Sequence, residues 1–199
     1  FEYLDTKPSE SLVLSMQPLE EALGYCFKNK WLPLQSLTHP SHTTLEHGRL
    51  WKCQGFNERK NEGGKVAAYD YQRLELLGDA ILSYLVTTQL FLNEKEYGSY
   101  TPEAITVKVA RCVRNSVLAT VGVRKFSLHQ HIRCSPSLIV QIESFALEKL
   151  TVVGKISSID PPKPLADIFE ALMASVYIDS NFSMREVSRI FWPLIEVRR

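Results

Sequence analysis

The chain has 199 residues, of which 45% are hydrophobic and 23% are charged, and its formal net charge is +1. These proportions suit a single folded globular domain with a well-filled core. The near-neutral charge argues against a domain that grips nucleic acid tightly through its own basic surface, because such binding depends largely on neutralised phosphates. Any nucleic-acid partner would have to be held largely by other means.

The cysteines and the hydropathy of the chain indicate the cellular compartment in which we expect it. Its four cysteines, at positions 26, 53, 112 and 134, include no C-x-x-C pair and fit no zinc site. We therefore expect free thiols in a reducing compartment, cytosolic or nuclear. The longest uncharged apolar stretch, Ala80 to Asn93, is too short and too polar to cross a bilayer, so we expect no membrane partner. Because the chain starts at Phe1 rather than Met, we expect a piece of a longer protein or a processed chain.

The hydrophobic periodicity predicts an all-α fold, with no repeat and no convincing pair of strands. We expect an N-terminal arm or loose helix over residues 1–17 and one domain over residues 18–199. Within it, residues 46–68 mix glycines, charges and aromatic residues without a period, which predicts a loop insertion. Pro18 is expected to open the first helix and Gly122 to break the fourth. The predicted helices cover residues 18–25, 32–45, 69–91, 103–121, 137–150, 165–178 and 184–196.

The segment from Tyr71 to Leu82 places acidic side chains on an apolar helix. Around its polar positions nearly every residue is apolar, which predicts a buried helix. Glu75 and Asp79 nevertheless lie four positions apart within it, and at roughly 100° per residue they fall within about 40° of each other. Gln72 lies on the same face. Two like charges are therefore held together on a helix otherwise suited to the core.

A second apolar helix, near the C-terminus, repeats this arrangement. Asp167 and Glu170 are three positions apart, roughly 60° on the helix wheel. Burying unpaired carboxylates is costly, and like charges nearby add to the cost. One interpretation is salt bridging to Arg73, Lys163 or another base. The other is a divalent cation held by four converging acids, which two matching pairs in one chain favour.

The side chains of the two segments also indicate the kind of cation. Neither acid pair is joined by His or Cys, and hard oxygen ligands with water favour Mg²⁺ or Mn²⁺ over zinc. Metal ions held in pairs by carboxylates are the usual apparatus for hydrolysing phosphodiesters, where one activates the attacking water and the other stabilises the leaving oxygen. The pattern therefore favours a metal-dependent hydrolase of phosphodiester bonds.

At these two segments the sequence resembles the ribonuclease III family. The family's hallmark reads roughly E/Q-R-L-E-F-L-G-D-A-hydrophobic-L and is matched by residues 72–82. Its second motif reads roughly P-K-x-x-A/G-D-x-F/V-E-A/S-L and is matched by residues 162–172. Two motifs in the right order at a plausible separation make a specific match. The runs 23–30 and 37–41 also look like the family's opening helices.

The resemblance covers about residues 18–195 and implies the helical fold of the ribonuclease III endonuclease domain. Within the family the chain looks most like the second ribonuclease III domain of Dicer and Dicer-like proteins. The strings 71–75 and 177–180 carry that closer likeness. The resemblance implies hydrolysis of double-stranded RNA in small-RNA processing, which leaves 5′-phosphate and 3′-OH ends with short 3′ overhangs.

The resemblance also assigns roles to individual residues. Gln72 matches a position that is Glu in bacterial members, and we read it as a helper that orients water or a ligand. Lys163 resembles a Dicer-type lysine near the scissile phosphate, although a solvated loop lysine is the alternative. The residues that match the family's metal-binding and catalytic acids are Glu75, Asp79, Asp167 and Glu170.

One position departs from the family's pattern. Where the family usually has Phe at a dimer contact, this chain has Leu76, and its smaller side chain offers less area for pairing. The family's two-fold or pseudo-two-fold arrangement implies either a homodimer or intramolecular pairing with a second ribonuclease III domain. The duplex would lie across the valley between the two domains, and each domain would cut one strand.

Weaker signals lie in the basic connector over residues 124–135. Arg124, Lys125 and Arg133 are candidates for contacting the RNA backbone, with a solvated loop as the alternative. His129 and His131 are two positions apart and could bind a metal from one side of an extended segment, but no third ligand is evident. We do not count them as a site.

Two other functions remain open at this stage. Ribonuclease III-like domains also serve as catalytically silent scaffolds or heterodimer partners in RNA–protein assemblies, but such domains tend to lose the acids, and all four are present here. A different metal-dependent phosphohydrolase on a helical bundle would usually use His–Asp pairs. No His stands beside Asp at either acid pair.

Overall fold

The structure is a computed structural model of the chain, and it describes residues 10–42, 70–92, 101–151 and 159–195. The predicted insertion and Cys53 lie outside these ranges. Cys26, Cys112 and Cys134 are free thiols, as predicted. The described residues fold into helices α1 (Glu10–Leu23), α2 (Trp31–Ser36), α3 (Gln72–Leu92), α4 (Pro102–Cys112), α5 (Asn115–Phe126), α6 (Pro136–Thr151), α7 (Lys163–Asp179) and α8 (Met184–Phe191). Short 3₁₀ turns follow α5 at Leu128–Gln130 and α8 at Trp192–Leu194. The all-α prediction is confirmed.

Helix α7 is the centre of the fold. Every residue from Leu165 to Val176 is buried, because this stretch is apolar on nearly all sides. Helices α2, α3, α5 and α8 pack around it. Where α5, α7 and α8 meet, the rings of Phe126, Phe169 and Phe191 pack with centroids 5.4 to 6.0 Å apart. The second acid pair therefore lies on the most deeply buried helix of the domain.

Helices α3 and α7 cross in direct backbone contact at Gly78. A Cβ placed on Gly78 would lie 2.0 Å from the carbonyl oxygen of Glu170 and 3.0 Å from its Cα. Real Cβ atoms do not approach backbone atoms this closely, so any larger residue at Gly78 would push the helices apart. The glycine of the first acidic motif thus fixes the distance between the two acid pairs.

Asp179, at the other end of α7, fixes the turn between α1 and α2. Its carboxylate accepts hydrogen bonds from the Tyr25 hydroxyl (2.8 Å), the Lys28 backbone N–H (2.9 Å) and the Asn29 backbone N–H (2.8 Å). Buried carboxylates need such partners. Because all three donors come from the α1–α2 turn, this contact holds the first two helices against the end of α7.

Helix α3 has one buried face and one exposed face, so the prediction that it is buried is wrong on one side. Leu74, Leu82 and Leu85 are among its core residues. On the opposite side lie three large apolar side chains, Leu76, Tyr84 and Phe91, which are 76%, 59% and 65% exposed. At about 100° per residue these three share one stripe with Ala80. We call Leu76, Ala80, Tyr84 and Phe91 the outer α3 face.

By length and composition alone α3 could cross a membrane, and it is the one helix within the described ranges that passes that test. Core helices of globular proteins pass the same test. Its backbone contact with α7 at Gly78 makes it a core helix of this domain. The outer α3 face is therefore a surface of the domain and not evidence of a bilayer.

The first helix begins earlier than predicted. Pro18 does not open α1, which starts at Glu10 and contains Pro18 in its interior. The missing N–H of Pro18 leaves the carbonyl of Leu14 without its helical partner. Leu14 is 56% exposed, so water can take that place, while Met16 and Leu19 are buried on the other side. The helix crosses the boundary expected between residues 17 and 18, and the domain division stays a prediction.

Two other predicted helix boundaries are wrong. Helix α2 ends at Ser36 rather than at residue 45, because the Arg133 backbone bridges the segment after it: Arg133 N–H donates to Leu37 (2.8 Å) and its carbonyl accepts from His39 (2.9 Å). The helix predicted over 103–121 is two helices, α4 and α5, with an extended backbone between them at Arg114. Gly122 does not break α5, since it faces Leu128 within the core.

The crossing at Gly78 generates a stability prediction. Gly78→Ala gains about 1 kcal/mol of helix propensity, but its Cβ meets backbone, which cannot move alone. We expect a net loss of about 3 kcal/mol or more in the free energy of unfolding, measured by urea denaturation.

Gly122→Ala is the matched control, because it is also a helical glycine but its Cβ meets the tip of the Leu128 side chain, 2.8 Å away. That tip can rotate aside, so we expect a much smaller change. Equal effects of the two substitutions would contradict the assignment of Gly78 as the contact that sets the crossing.

Candidate active site

The start of α3 is fixed by contacts that position Glu75. The Asp70 carboxylate accepts a hydrogen bond from the Gln72 backbone N–H at 3.0 Å, which satisfies one of the free donors at the helix start. Tyr71 N–H donates to the Thr38 carbonyl (3.1 Å), and the Tyr71 carbonyl accepts from Glu75 N–H (2.8 Å). The first turn of α3 is thereby tied to the segment that follows α2, and Glu75 lies on that turn.

The structure brings the four predicted acids together where α3 crosses α7. Asp167 and Glu170 are buried, with 5% and 8% of their surface exposed. Glu75 is half-buried and Asp79 is exposed, so the cluster opens to solvent on its α3 side. The charges of Glu75, Asp79 and Asp167 all act on the carboxyl of Glu170. Two helices thus place four carboxyl groups near one another at a crossing that is open to solvent on one side.

Glu170 is the most perturbed acid of the cluster. Burial raises its pKa to about 8, and the negative charges of Asp79, Asp167 and Glu75 add to that rise. The ammonium of Lys163 lowers the pKa but only in part. In the ion-free protein, burial and the neighbouring charges therefore favour the protonated form of Glu170 at neutral pH.

Lys163, the first residue of α7, bridges the two helices across the cluster. Its Nζ lies 2.7 and 2.8 Å from the two carboxylate oxygens of Asp167 and 3.1 Å from Oε1 of Glu75. Burial lowers the pKa of this amine, but the hydrogen bonds to Asp167 and Glu75 outweigh that effect and the pKa is raised. The salt-bridge interpretation therefore holds for Glu75 and Asp167. For Asp79 and Glu170 the described part of the chain provides no ion pair.

The residues of the cluster fit a divalent cation by their chemistry. All four are carboxylates, the hard oxygen ligands that Mg²⁺ and Mn²⁺ take, and three of them act with their negative charge on the buried carboxyl of Glu170. As the side chains stand, no three His, Cys, Asp or Glu groups in the described ranges already converge on an ion-sized space. The Lys163 ammonium lies between Glu75 and Asp167. An ion held by Glu75 and Asp167 would therefore compete with this ammonium for the same oxygens.

Tyr71 belongs to the site although the sequence did not single it out. Its hydroxyl donates to Oδ2 of Asp167 at 3.0 Å, and the residue is 4% exposed. Burial raises the pKa of this phenol, and the Asp167 charge raises it further. The ring of His39 packs against it at 5.6 Å between centroids, with Nδ1 accepting a hydrogen bond from Ser41 N–H. The sequence signal was an aromatic residue directly before the acidic motif, which local periodicity cannot link to α7.

The remaining predicted residues lie around this cluster or apart from it. Gln72 is exposed at the start of α3. Arg124 lies in the last turn of α5, and its Nε donates to the Lys149 carbonyl at 3.0 Å, which ties α5 to the end of α6. Lys125 is exposed beside it, and Arg133 Nη2 lies 3.3 Å from His42 Nε2. None of these contacts reaches the acids within the described ranges, and their roles stay predictions.

His129 and His131 do not form a metal site within the residues that the structure describes. Burial lowers the pKa of both imidazoles, which favours their neutral forms.

Comparison with known protein families confirms the family resemblance. The model of the ribonuclease III domain matches residues 72–181, more than half of the chain and including both acidic motifs. Endoribonuclease Dicer-L of Xenopus laevis is 30% identical over 213 residues, which cover 98% of this chain and 10% of that protein. Endoribonuclease Dcr-1 of Drosophila melanogaster is 29% identical over 202 residues, which cover 94% of this chain and 8% of that protein.

The fold has solved counterparts. The nuclease domain of ribonuclease III from Campylobacter jejuni is similar with a TM-score of 0.61 and 23% identity, and the match covers 91% of this chain and 96% of that one. The chain spans only about a tenth of the length of the Dicer relatives that it matches. Its likeness to the second ribonuclease III domain of Dicer, rather than to another, stays a prediction.

The raised pKa of Glu170 generates a pH prediction for the ion-free protein. The folded carboxyl keeps its proton up to about pH 8, whereas the unfolded one loses it near 4.5. The folded state therefore binds more protons between these values, and stability falls as pH rises through this window. Between pH 7 and 8, we expect a loss of the order of 1 kcal/mol in EDTA, measured by urea denaturation.

Glu170→Gln should remove this loss, because an amide does not titrate. Glu21→Gln, at an exposed position on α1, is the matched control and should keep it. The histidines with lowered pKa act mainly below their ordinary value of 6.5, so the window from pH 7 to 8 isolates Glu170. The same dependence of stability on pH in wild type and in Glu170→Gln would contradict the raised pKa of Glu170.

Proposed function

Because the chain belongs to the ribonuclease III domain family, we propose that it hydrolyses phosphodiester bonds of double-stranded RNA with divalent metal ions. The products would carry 5′-phosphate and 3′-OH ends with short 3′ overhangs. One observation carries the proposal: four carboxyl groups meet at the crossing of α3 and α7, where burial, together with the charges of the other three acids, raises the pKa of Glu170 to about 8. A divalent ion bound among these acids would neutralise their negative charge.

The residues of the chain take distinct parts in this proposal. Glu75, Asp79, Asp167 and Glu170 would hold Mg²⁺ or Mn²⁺. A bound divalent ion supplies activation of water and neutralisation of charge on the phosphate. Gln72, exposed on the face of α3 that carries Glu75, would orient water or a ligand at the cluster. Lys163, whose side chain is 66% exposed, would turn from the acids to the scissile phosphate when RNA and metal are bound.

The charge of the domain limits how it binds RNA. With a net charge of +1 the chain lacks the excess of basic residues that a tight autonomous RNA binder carries. Arg124, Lys125 and Arg133 would contribute phosphate contacts, and further affinity would come from a paired domain. The similarity to Dicer proteins supports a role in small-RNA processing as part of this proposal. The proposal also includes a cytosolic or nuclear location.

The outer α3 face supports pairing with a second ribonuclease III domain. Leu76, Tyr84 and Phe91 expose large apolar side chains along one stripe of the helix that carries two of the acids. Large exposed apolar patches mark protein interfaces. A two-fold contact through this face would place two acid clusters in one assembly, in a homodimer or with a sister domain of a longer chain.

The catalytic role of the acids is tested by Glu75→Gln and Glu170→Gln. With Mg²⁺ present, we expect cleavage of a duplex RNA to fall more than about 100-fold, beyond the 10- to 100-fold typical of residues that only support a ligand. RNA binding without divalent ion should stay within about twofold, and Glu21→Gln should cleave like wild type. A wild-type domain that pairs and binds RNA but never cleaves it would favour the catalytically silent scaffold instead.

The pairing face is tested by Leu76→Glu, with Val140→Glu as the matched control. Val140 is 62% exposed on α6, away from the outer α3 face. Burial of a leucine contributes about 2 kcal/mol and recurs on both partners of a two-fold contact, so we expect self-association to weaken at least 10-fold in Leu76→Glu. Analytical ultracentrifugation measures this change. Equal association constants for wild type and Leu76→Glu would show that Leu76 does not lie in the interface.

A further inference from the structure

We propose that Tyr71 is a positioning residue for metal binding and catalysis: its buried hydroxyl orients the carboxylate of Asp167. The inference rests on the proposed function. The hydroxyl donates to Oδ2 of Asp167 at 3.0 Å, and both residues are at least 95% buried. Inside the protein little water competes for such a hydrogen bond to a charged group, so the bond is stronger than it would be in solvent.

Tyr71 is itself held at three points. Its backbone N–H donates to Thr38 at 3.1 Å, its carbonyl accepts from Glu75 N–H at 2.8 Å, and its ring packs against His39. The residue therefore joins the first turn of α3, which carries Glu75, to Asp167 on α7. Through its backbone and its hydroxyl, one residue thus links an acid of the first pair to an acid of the second.

The second partner of Asp167 is of a different kind. Lys163 also binds the Asp167 carboxylate, but its side chain is 66% exposed, whereas the Tyr71 hydroxyl donates to Oδ2 from a buried position. A divalent ion held by Glu75 and Asp167 would compete with this ammonium. Without the ammonium, the carboxylate of Asp167 would be free to turn about its broad terminal torsion unless another group held it. The hydrogen bond from Tyr71 to Oδ2 would supply that hold.

Hydrogen bonds of this type to a ligand typically change metal affinity or activity 10- to 100-fold when they are removed. Tyr71→Phe removes only the hydroxyl and keeps the ring that packs against His39. A purely structural role would lower stability and leave the affinity for the ion unchanged. A positioning role would lower affinity and the rate of the chemical step, with little effect on RNA binding.

The chain offers a matched control in Tyr25→Phe. Tyr25 also donates its hydroxyl to an aspartate of α7, at 2.8 Å from Oδ2 of Asp179. Asp179 lies about 18 Å along the helix from Asp167, at roughly 1.5 Å per residue. Both substitutions therefore remove one tyrosine–aspartate hydrogen bond from the same helix, but only one touches the acid cluster.

The experiment measures Mn²⁺ affinity by electron paramagnetic resonance on the RNA-free protein, and single-turnover cleavage of a duplex RNA at saturating Mn²⁺. We expect Tyr71→Phe to weaken Mn²⁺ binding about 10-fold and to slow the single-turnover rate by a similar factor. Tyr25→Phe should leave both within about twofold, even where the two variants lose similar amounts in melting temperature.

The outcomes separate this inference from the proposed function. If wild type binds Mn²⁺ and cleaves RNA while Tyr71→Phe does both equally well, the positioning role is overturned and the nuclease remains. If Tyr25→Phe weakens Mn²⁺ binding as much as Tyr71→Phe does, the effect is general loss of structure and the role is again overturned. A wild-type protein that neither binds Mn²⁺ nor cleaves overturns both proposals.

Discussion

The contact between Gly78 and the backbone of Glu170 is the constraint on which the site depends. A helix pair separated by ordinary side chains keeps its axes 8–10 Å apart, but here the space for a Cβ on Gly78 is filled by the Glu170 carbonyl. This close approach lets Glu75 and Asp79, on the turns that flank Gly78, reach the acids of α7. Gly78 thus determines how closely the acids of α3 approach the acids of α7.

The close approach of α3 and α7 brings the negative charges of four acids together, and the ion pairs of the described residues compensate only some of them. Four carboxyl groups lie near one another, two of them buried, and the pairing with Lys163 serves Glu75 and Asp167. Burial, together with the charges of Asp79, Asp167 and Glu75, raises the pKa of Glu170. The cluster is open to solvent beside the exposed Asp79. A divalent cation, as proposed above, would compensate the acids that Lys163 does not pair.

The sequence predicted the parts of this arrangement that follow from local pattern. Apolar periodicity located α3 and α7, and the spacing of Glu75, Asp79, Asp167 and Glu170 placed each pair on one helical face. The bridge from Lys163 to Glu75 joins residues 88 positions apart, and the bond from Tyr71 to Asp167 joins residues 96 apart. Lys163 had been named as one of several possible bases for a salt bridge, but nothing in the local pattern pairs Tyr71 with Asp167.

The wrong helix boundaries have the same origin. Helix α2 stops at Ser36 because the next residues pair with Arg133, which is distant in sequence. Helix α1 continues through Pro18 because buried neighbours favour the helix on one side and solvent is accessible on the other. The exposed Leu76 departs from the expected burial of α3 and fits the pairing face proposed above, since the interfaces of permanent partners have the composition of a core. Tertiary context decided each case.

The most direct test is a crystal structure of the protein soaked in Mn²⁺, with anomalous diffraction to locate the ions. The account predicts anomalous density among Glu75, Asp79, Asp167 and Glu170, with the Lys163 ammonium moved away from Glu75 and the Tyr71 hydroxyl still on Asp167. Saturating Mn²⁺ that leaves no density there, with Lys163 still bridging Glu75 and Asp167, would contradict it.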